Sequence, residues 1–270
     1  MSETPQARIA GQRIVYTTPA MDAVIVRRDE TYRTVDGRAL TMDIYYPSSS
    51  PQRGGWPAVI FVTGFPDAGA RRMFGRKFKE MGSYVSWAQL VAASGMAAIT
   101  YDNDAPAADV HAVLEYVCHH AADLQIDAGR LGVWACSGNV PNALSVLMQA
   151  PVAVKCAVFC YGYLLDFDGS SRVADAARQF GFLTPCAGRR VSDLPPAVPL
   201  LIARAGRDLM PGLNETLDRF VGDALASDLP VTLVNYSGAP HAFDLVADTD
   251  GSRDVIWQIL MFMERRLVSP

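Results

Sequence analysis

The 270-residue chain has no apolar run near the roughly 18 residues that a membrane-spanning helix requires. Its first residues, MSETPQARIAGQR, lack the apolar stretch of a secretory signal. Neither a basic run nor an acidic tail is present, and the formal net charge is -4. That balance leaves no electrostatic footprint for nucleic acid or an anionic membrane surface. Cysteine is scarce and odd in number: Cys118, Cys136, Cys156, Cys160 and Cys186 form no CxxC pair. A disulfide framework and a zinc site are therefore not expected, and reduced thiols in a cytoplasmic protein are. Histidine is scarcer still, with His111, His119, His120 and His241.

What is present is apolar material: half of the residues are hydrophobic, enough for a substantial core. Ala23–Val26 and Leu40–Tyr45 alternate as antiparallel strands would, with the turn signal Asp36-Gly37 between them. Beyond them the pattern changes to short continuous apolar runs at residues 58–62, 97–100, 131–135, 153–161, 198–203 and 231–234. Such runs fit strands buried on both faces of a parallel sheet. Between them, Val110, Val113, Leu114, Val117, Ala121 and Leu124 form one helical stripe. Residues 84–94, 140–149, 211–226 and 252–266 also read as helices. The alternation predicts one α/β domain over residues 1–270, a mostly parallel sheet with antiparallel N-terminal strands and helices on both faces. Residues 1–20 read as a polar N-terminal arm. Residues 163–196 interrupt the rhythm at a length typical of a lid or pocket insertion.

Sheets of this kind hold their ligands beyond the carboxyl ends of the strands. There the segment Leu131-Gly132-Val133-Trp134-Ala135-Cys136-Ser137-Gly138-Asn139-Val140-Pro141 runs from a strand into a helix through small residues. A turn that tight lifts its central side chain above the sheet, and the residues two before and two after must be small. With Ser137 at the centre these are Ala135 and Asn139; with Cys136 they would include the bulky Trp134. Sterics therefore select Ser137 as nucleophile.

A serine hydroxyl needs a base to remove its proton. His241 follows the last predicted central strand, whereas the other three histidines fall in a predicted helix. An imidazole base needs a carboxylate to fix its tautomer. Asp208, just beyond the strand at 198–203, is the candidate, with Asp166 as its rival. Oxyanion donors are expected at the backbone N–H groups of Gly138 and Phe65, the second in the loop Val62-Thr63-Gly64-Phe65-Pro66-Asp67. Phe65, Tyr161, Phe167, Leu209 and Phe243 are candidate pocket walls.

With these residues placed, the chain resembles the dienelactone hydrolase-like branch of the α/β-hydrolases and the related small carboxylesterases. The resemblance runs from about residue 22. It rests on Asp36-Gly37 with Met42-Asp43-Ile44-Tyr45-Tyr46-Pro47, Gly64-Phe65-Pro66, the Ser137 elbow, Gly206-Arg207-Asp208 and His241-Ala242-Phe243. It implies a triad of Ser137, Asp208 and His241, backbone donors at Phe65 and Gly138, and hydrolysis of a small ester, with no cofactor or metal. Two positions depart from the pattern: dienelactone hydrolases carry cysteine where Ser137 stands, and Ala135 and Asn139 replace the usual elbow glycines. Lactonase, amidase or acyltransferase chemistry on the same residues stays open, as does a non-catalytic ligand-binding protein. Tolerance among short acyl chains is expected, and assembly into a homo-oligomer stays open.

Overall fold

The computed structural model describes residues 9–51, 54–149, 154–167 and 169–268. Residues 1–8 of the expected arm, Ala153 at the start of one expected strand, and Asp168 of the expected insertion lie outside the described residues.

Strands β1 (Ile25–Val35) and β2 (Arg38–Tyr46) form a hairpin. They are followed by β3 (Trp56–Phe61), α1 (Asp67–Phe74), α2 (Gly82–Ala93), β4 (Ala97–Tyr101), α3 (Pro106–His119), β5 (Ile126–Cys136) and α4 (Val140–Gln149). The second half contributes β6 (Val154–Cys160), α5 (Arg172–Phe180), β7 (Leu200–Ala205), α6 (Leu213–Ala226), β8 (Val231–Tyr236), α7 (Phe243–Val246) and α8 (Asp250–Leu267). All eight strands join one sheet in the order β1-β2-β4-β3-β5-β6-β7-β8. The β1–β2 and β2–β4 pairs are antiparallel and the others parallel.

The hairpin turns where Asp36 and Gly37 both take positive φ, 50° and 76°. That conformation matches the twist of the flanking strands and favours Asp-Gly. Strands β3 and β4 are buried throughout, as their unbroken apolar runs require. Strand β8 corrects an expectation. It is the sheet's edge, half-exposed along its length, with Leu233 43% exposed, so His241 follows an edge strand. On α3 the stripe Val110, Val113, Leu114 and Val117 is buried as expected; Ala121 and Leu124 lie past the helix end. Helices α1 and α5 interrupt stretches in which no helix was expected. Helix α1 buries only Asp67 and Ala70, and α5 buries Val173, Ala176 and Ala177, a stripe too short and too alanine-rich to stand out in the sequence. Within the stretch expected as a polar arm, Ala10 and Ile14 are buried in the core.

Chain direction sets the site. From β3 the chain moves to β4 on one side, then crosses back to β5 on the other side of β3 and continues to β8. Right-handed crossovers then put α2 on the opposite face from α3 and α4. A crevice opens beyond the carboxyl ends of β3 and β5, where the winding reverses. No helix among the described residues is long and apolar enough to cross a membrane.

Candidate active site

Both loops that leave this switch point are tightly constrained. Strand β5 ends at Cys136, Ser137 takes φ of 54°, and a short turn through Asn139 leads into α4. A non-glycine residue in the left-handed region is strained, and such strain concentrates where a side chain must be presented. The loop after β3 presses against this elbow. A Cβ on Gly64 would stand 2.7 Å from Gly138 O and 3.1 Å from Asn139 Cα, so only glycine fits. Asn139 Oδ1 accepts the Gly64 N–H at 2.7 Å, and Leu183 N–H donates to Gly64 O at 2.9 Å.

The next two connections are joined as closely. Gly206 N–H donates to Tyr236 O at 2.9 Å and Arg207 N–H to Ala239 O at 2.8 Å. A side chain at Gly206 would collide with the Ser237 backbone. This contact brings the loop after β7, carrying Asp208, against the loop after β8, carrying His241. Ala242, next to the histidine, is itself left-handed at φ 54°.

These three connections place a hydrogen-bonded chain at the crevice. Ser137 Oγ lies 3.0 Å from His241 Nε2, and His241 Nδ1 lies 2.6 Å from Asp208 Oδ2. An ionised carboxylate only accepts, so Nδ1 carries the proton and Nε2 is left to accept from the serine hydroxyl. The Asp208 side chain is fully buried, its Oδ1 accepting the Met210 N–H at 2.9 Å. His241 keeps 28% of its side chain exposed. The Tyr161 ring packs edge-on against the imidazole at 5.0 Å. Such a chain can move a proton off a hydroxyl as it attacks a carbonyl and return it to a leaving group.

Asp166 is placed elsewhere: its carboxylate accepts the N–H groups of Val173 and Ala174 at the start of α5. His119 and His120 are exposed at the end of α3, their Nδ1 atoms against backbone carbonyls. Cys136 lines the crevice beside Ser137, but burial, with the Asp244 carboxylate adding to it, pushes its thiol up to about 12. The thiolate that would make it a nucleophile is strongly disfavoured. Among the described residues no group of three or more His, Cys, Asp or Glu side chains could hold a metal ion.

No protein-family model matches the chain, and no curated protein sequence does. Solved structures do match. A fungal esterase from Rhizomucor miehei aligns with a TM-score of 0.71 at 18% identity, over 98% of this chain and 89% of its own. A bacterial heroin esterase aligns at 0.66 and 18%, over 92% and 86%. The thermophilic esterase Est2 from Thermogutta terrifontis aligns at 0.66 and 20%, over 93% and 95%. The chain has the α/β-hydrolase fold. In that fold the elbow after β5 and the loops after β3, β7 and β8 converge at one end of the sheet, as they do here.

Around Ser137 lies a cavity of about 350 Å³. Of the candidate walls, Phe65 and Tyr161 line it. Phe243 is wholly buried behind Tyr161, at 5.5 Å between ring centroids. Leu209 points to solvent, 93% exposed, and Phe167 packs under the Arg219 guanidinium at 5.9 Å; neither lines the cavity. The sequence reading missed the main wall. It comes from the segment before α2 and from α2 and β5: Phe78, Tyr84, Trp87 and Trp134. These rings interlock at centroid distances of 5.3 Å (Phe78–Tyr84), 6.0 Å (Tyr84–Trp134) and 5.3 Å (Trp87–Trp134). Trp134 and Cys136, two apart on β5, share a face, which was a readable signal; the approach of α2 to that face was not.

Also unread was Asp244. Its buried carboxylate accepts from Trp87 Nε1 and from the Tyr161 hydroxyl, each at 2.7 Å. Burial holds its pKa above the usual carboxylate range, against the pull of both hydrogen bonds.

Proposed function

We propose that the chain is a serine hydrolase that cleaves a carboxylic ester through an acyl-enzyme, with Ser137 as nucleophile, His241 as general base and acid, and Asp208 as its orienting carboxylate. The observation that carries this reading is the continuous chain from Ser137 Oγ through His241 to Asp208, set at a left-handed elbow that opens on an apolar cavity. The structural likeness to three esterases supports the same class, and the motifs around Gly64, Ser137, Asp208 and His241 fit the dienelactone hydrolase-like branch.

In the first half-reaction Ser137 Oγ bonds to the ester carbonyl carbon while its proton passes to His241 Nε2. The carbonyl oxygen gains negative charge, for which the N–H groups of Phe65 and Gly138 are the donors; both residues line the cavity with Ser137. A donor in that role is worth about 10²–10³ in rate. The carbon–alkoxy bond then breaks, and Nε2 returns the proton to the departing alcohol. Water repeats the sequence in the second half-reaction: its proton goes to Nε2, its oxygen bonds to the acyl carbon, and Ser137 leaves reprotonated as the acid is released. Asp208 stays ionised throughout and stabilises the imidazolium.

A serine-directed fluorophosphonate tests the reading. Expected are one covalent adduct on Ser137, located by peptide mass spectrometry, and loss of ester hydrolysis in step with labelling. A chain that forms no adduct, or a Ser137→Ala variant that hydrolyses esters as the parent does, overturns it. Replacing water with a competing alcohol or amine separates hydrolase from acyltransferase by product.

A further inference from the structure

One wall of the cavity comes from a stretch far from every strand end. Ile9 and Gln12 line it together with Ser137, His241 and the aromatic rings of α2 and β5. Residues 9–11 are helical, with Ala10 fully buried and Ile9 43% exposed. The segment is fastened at several points. Ile14 N–H donates to Ser86 Oγ on α2 at 3.0 Å, and Arg13 Nη2 to Gln89 Oε1 at 2.8 Å. Val15 N–H donates to the backbone oxygen of Asp244 at 2.8 Å, three residues beyond His241. Where the segment crosses the start of α2, a Cβ on Gly82 would stand 2.5 Å from Gly11 O and 2.6 Å from Gln12 O. Glycine at 82 is what lets the backbone lie this close.

We propose that residues 9–15 are the specificity wall of this site, and that with the rings of Phe78, Tyr84, Trp87 and Trp134 they select an ester carrying a bulky aromatic group. The proposal rests on the hydrolase reading for its chemistry, but the wall itself rests on packing. A cavity of about 350 Å³ falls within the range that encloses a compact organic ligand. It has room well beyond an acetyl or propionyl group. Its inner side is aromatic, and rings seat against rings in offset or edge-on geometries. Ile9 and Gln12 add to this lining, on a segment tied both to α2 and to the histidine loop. A bicyclic group seated against these residues places its ester carbonyl toward Ser137, which lines the same cavity. The size of the side chain at position 9 then sets how large that group can be.

The test uses the full chain and three substrates: ethyl acetate, 2-naphthyl acetate and ethyl 2-naphthoate, so that bulk is presented on neither side, the alcohol side or the acyl side. Expected is a preference, in kcat/KM, for one naphthyl ester over ethyl acetate. Ile9→Trp, which fills the wall, lowers that ratio tenfold or more. Ile9→Ala with Gln12→Ala extends turnover to the corresponding anthracenyl ester. A second readout does not need turnover: calorimetric titration with 2-acetonaphthone, a ketone that cannot be hydrolysed, shows saturable binding to the parent and at least tenfold weaker binding to Ile9→Trp. Unchanged selectivity and unchanged ketone affinity in Ile9→Trp, or equal losses on all three esters with no change in ketone binding, overturn the wall. Failure of the phosphonate to label Ser137, with ketone binding still sensitive to position 9, overturns the hydrolase reading and leaves the wall standing.

Discussion

Asn139 and Gly64 are joined across the crevice: the Asn139 side-chain oxygen accepts the Gly64 backbone N–H at 2.7 Å, and both partners are buried. Asn139 occupies the position two beyond Ser137, the proposed nucleophile, where the sequence pattern leads one to expect glycine. Its side chain is a strap between the elbow and the loop that carries Phe65. Asn139→Ala removes the strap and leaves a buried N–H without a partner, a cost of about 1–3 kcal/mol. The loop is then free to shift, and displacement of a catalytic group by about 1 Å can lower rate by about 10². Expected are a lower melting temperature and a fall in kcat of about 10- to 100-fold, with KM changed less. Thermal unfolding and ester kinetics on the same preparation check both.

Gly64→Ala attacks the same junction from the other side. The added methyl group meets backbone, 2.7 Å from Gly138 O, and backbone cannot step aside as a flexible side chain can. Overpacking of this sort costs about 1–3 kcal/mol. The strain falls on Gly138, whose N–H is a proposed oxyanion donor, so activity should fall by more than stability alone predicts. Denaturant unfolding, set beside kcat/KM measured well below the unfolding midpoint, separates the two losses.

Two carboxylates compete for the acidic role in the sequence, and their surroundings now differ. Asp208 is 2.6 Å from His241 Nδ1, whereas Asp166 binds the first N–H groups of α5. Asp208→Asn offers an amide where the carboxylate fixed the tautomer, and kcat should fall by about 10³–10⁴ with the fold intact. Asp166→Ala should instead cost about 1 kcal/mol of stability, as loss of a helix cap does, and leave kcat within a few-fold. The opposite ranking of these variants on activity would return the acidic role to Asp166.

The contrast between these two aspartates shows what was legible in the sequence. Strands β3 to β7 could be read because the part of a strand that is buried on both faces is almost wholly apolar, and Ser137 because Trp134 is too large to flank a tight turn. His241 and Asp208 could be read from their places after strands. The interlocked wall of Phe78, Tyr84, Trp87 and Trp134 could not, because it depends on how α2 packs on the sheet, and ring-to-ring contact leaves no spacing rule. For the same reason Phe243 and Leu209 were misplaced: a loop aromatic and a loop aliphatic look alike as pocket candidates until the backbone fixes which way each faces. The edge position of β8 was hidden because an apolar run does not report a missing neighbour. Ile9 and Gln12 lie in a polar-looking stretch whose contacts are made mainly through backbone and a few side chains.

Asp67 gives the fold a pH dependence whose sign can be worked out. It follows the Phe65-Pro66 pair and is 5% exposed, with Oδ2 accepting the Asn103 N–H and Oδ1 buried without a partner among the described residues. Burial raises its pKa from 3.8 to about 6; the Asn103 hydrogen bond and Lys77 oppose the rise, while Asp102 and Glu80 add to it. The folded chain thus holds a proton that the unfolded chain has released between about pH 4 and 6. Where the native state binds more protons, stability falls as pH rises. This group's contribution is therefore most favourable below about pH 4, declines through pH 6, and above that leaves a constant deficit on the order of 3 kcal/mol. Asp67→Asn keeps an acceptor for Asn103 and cannot ionise. It should raise the midpoint of urea unfolding at pH 8, raise it less at pH 5.5, and leave it nearly unchanged at pH 4. A variant destabilised equally at all three values would show that the carboxylate is ionised and satisfied in the folded state, through a partner other than those seen here.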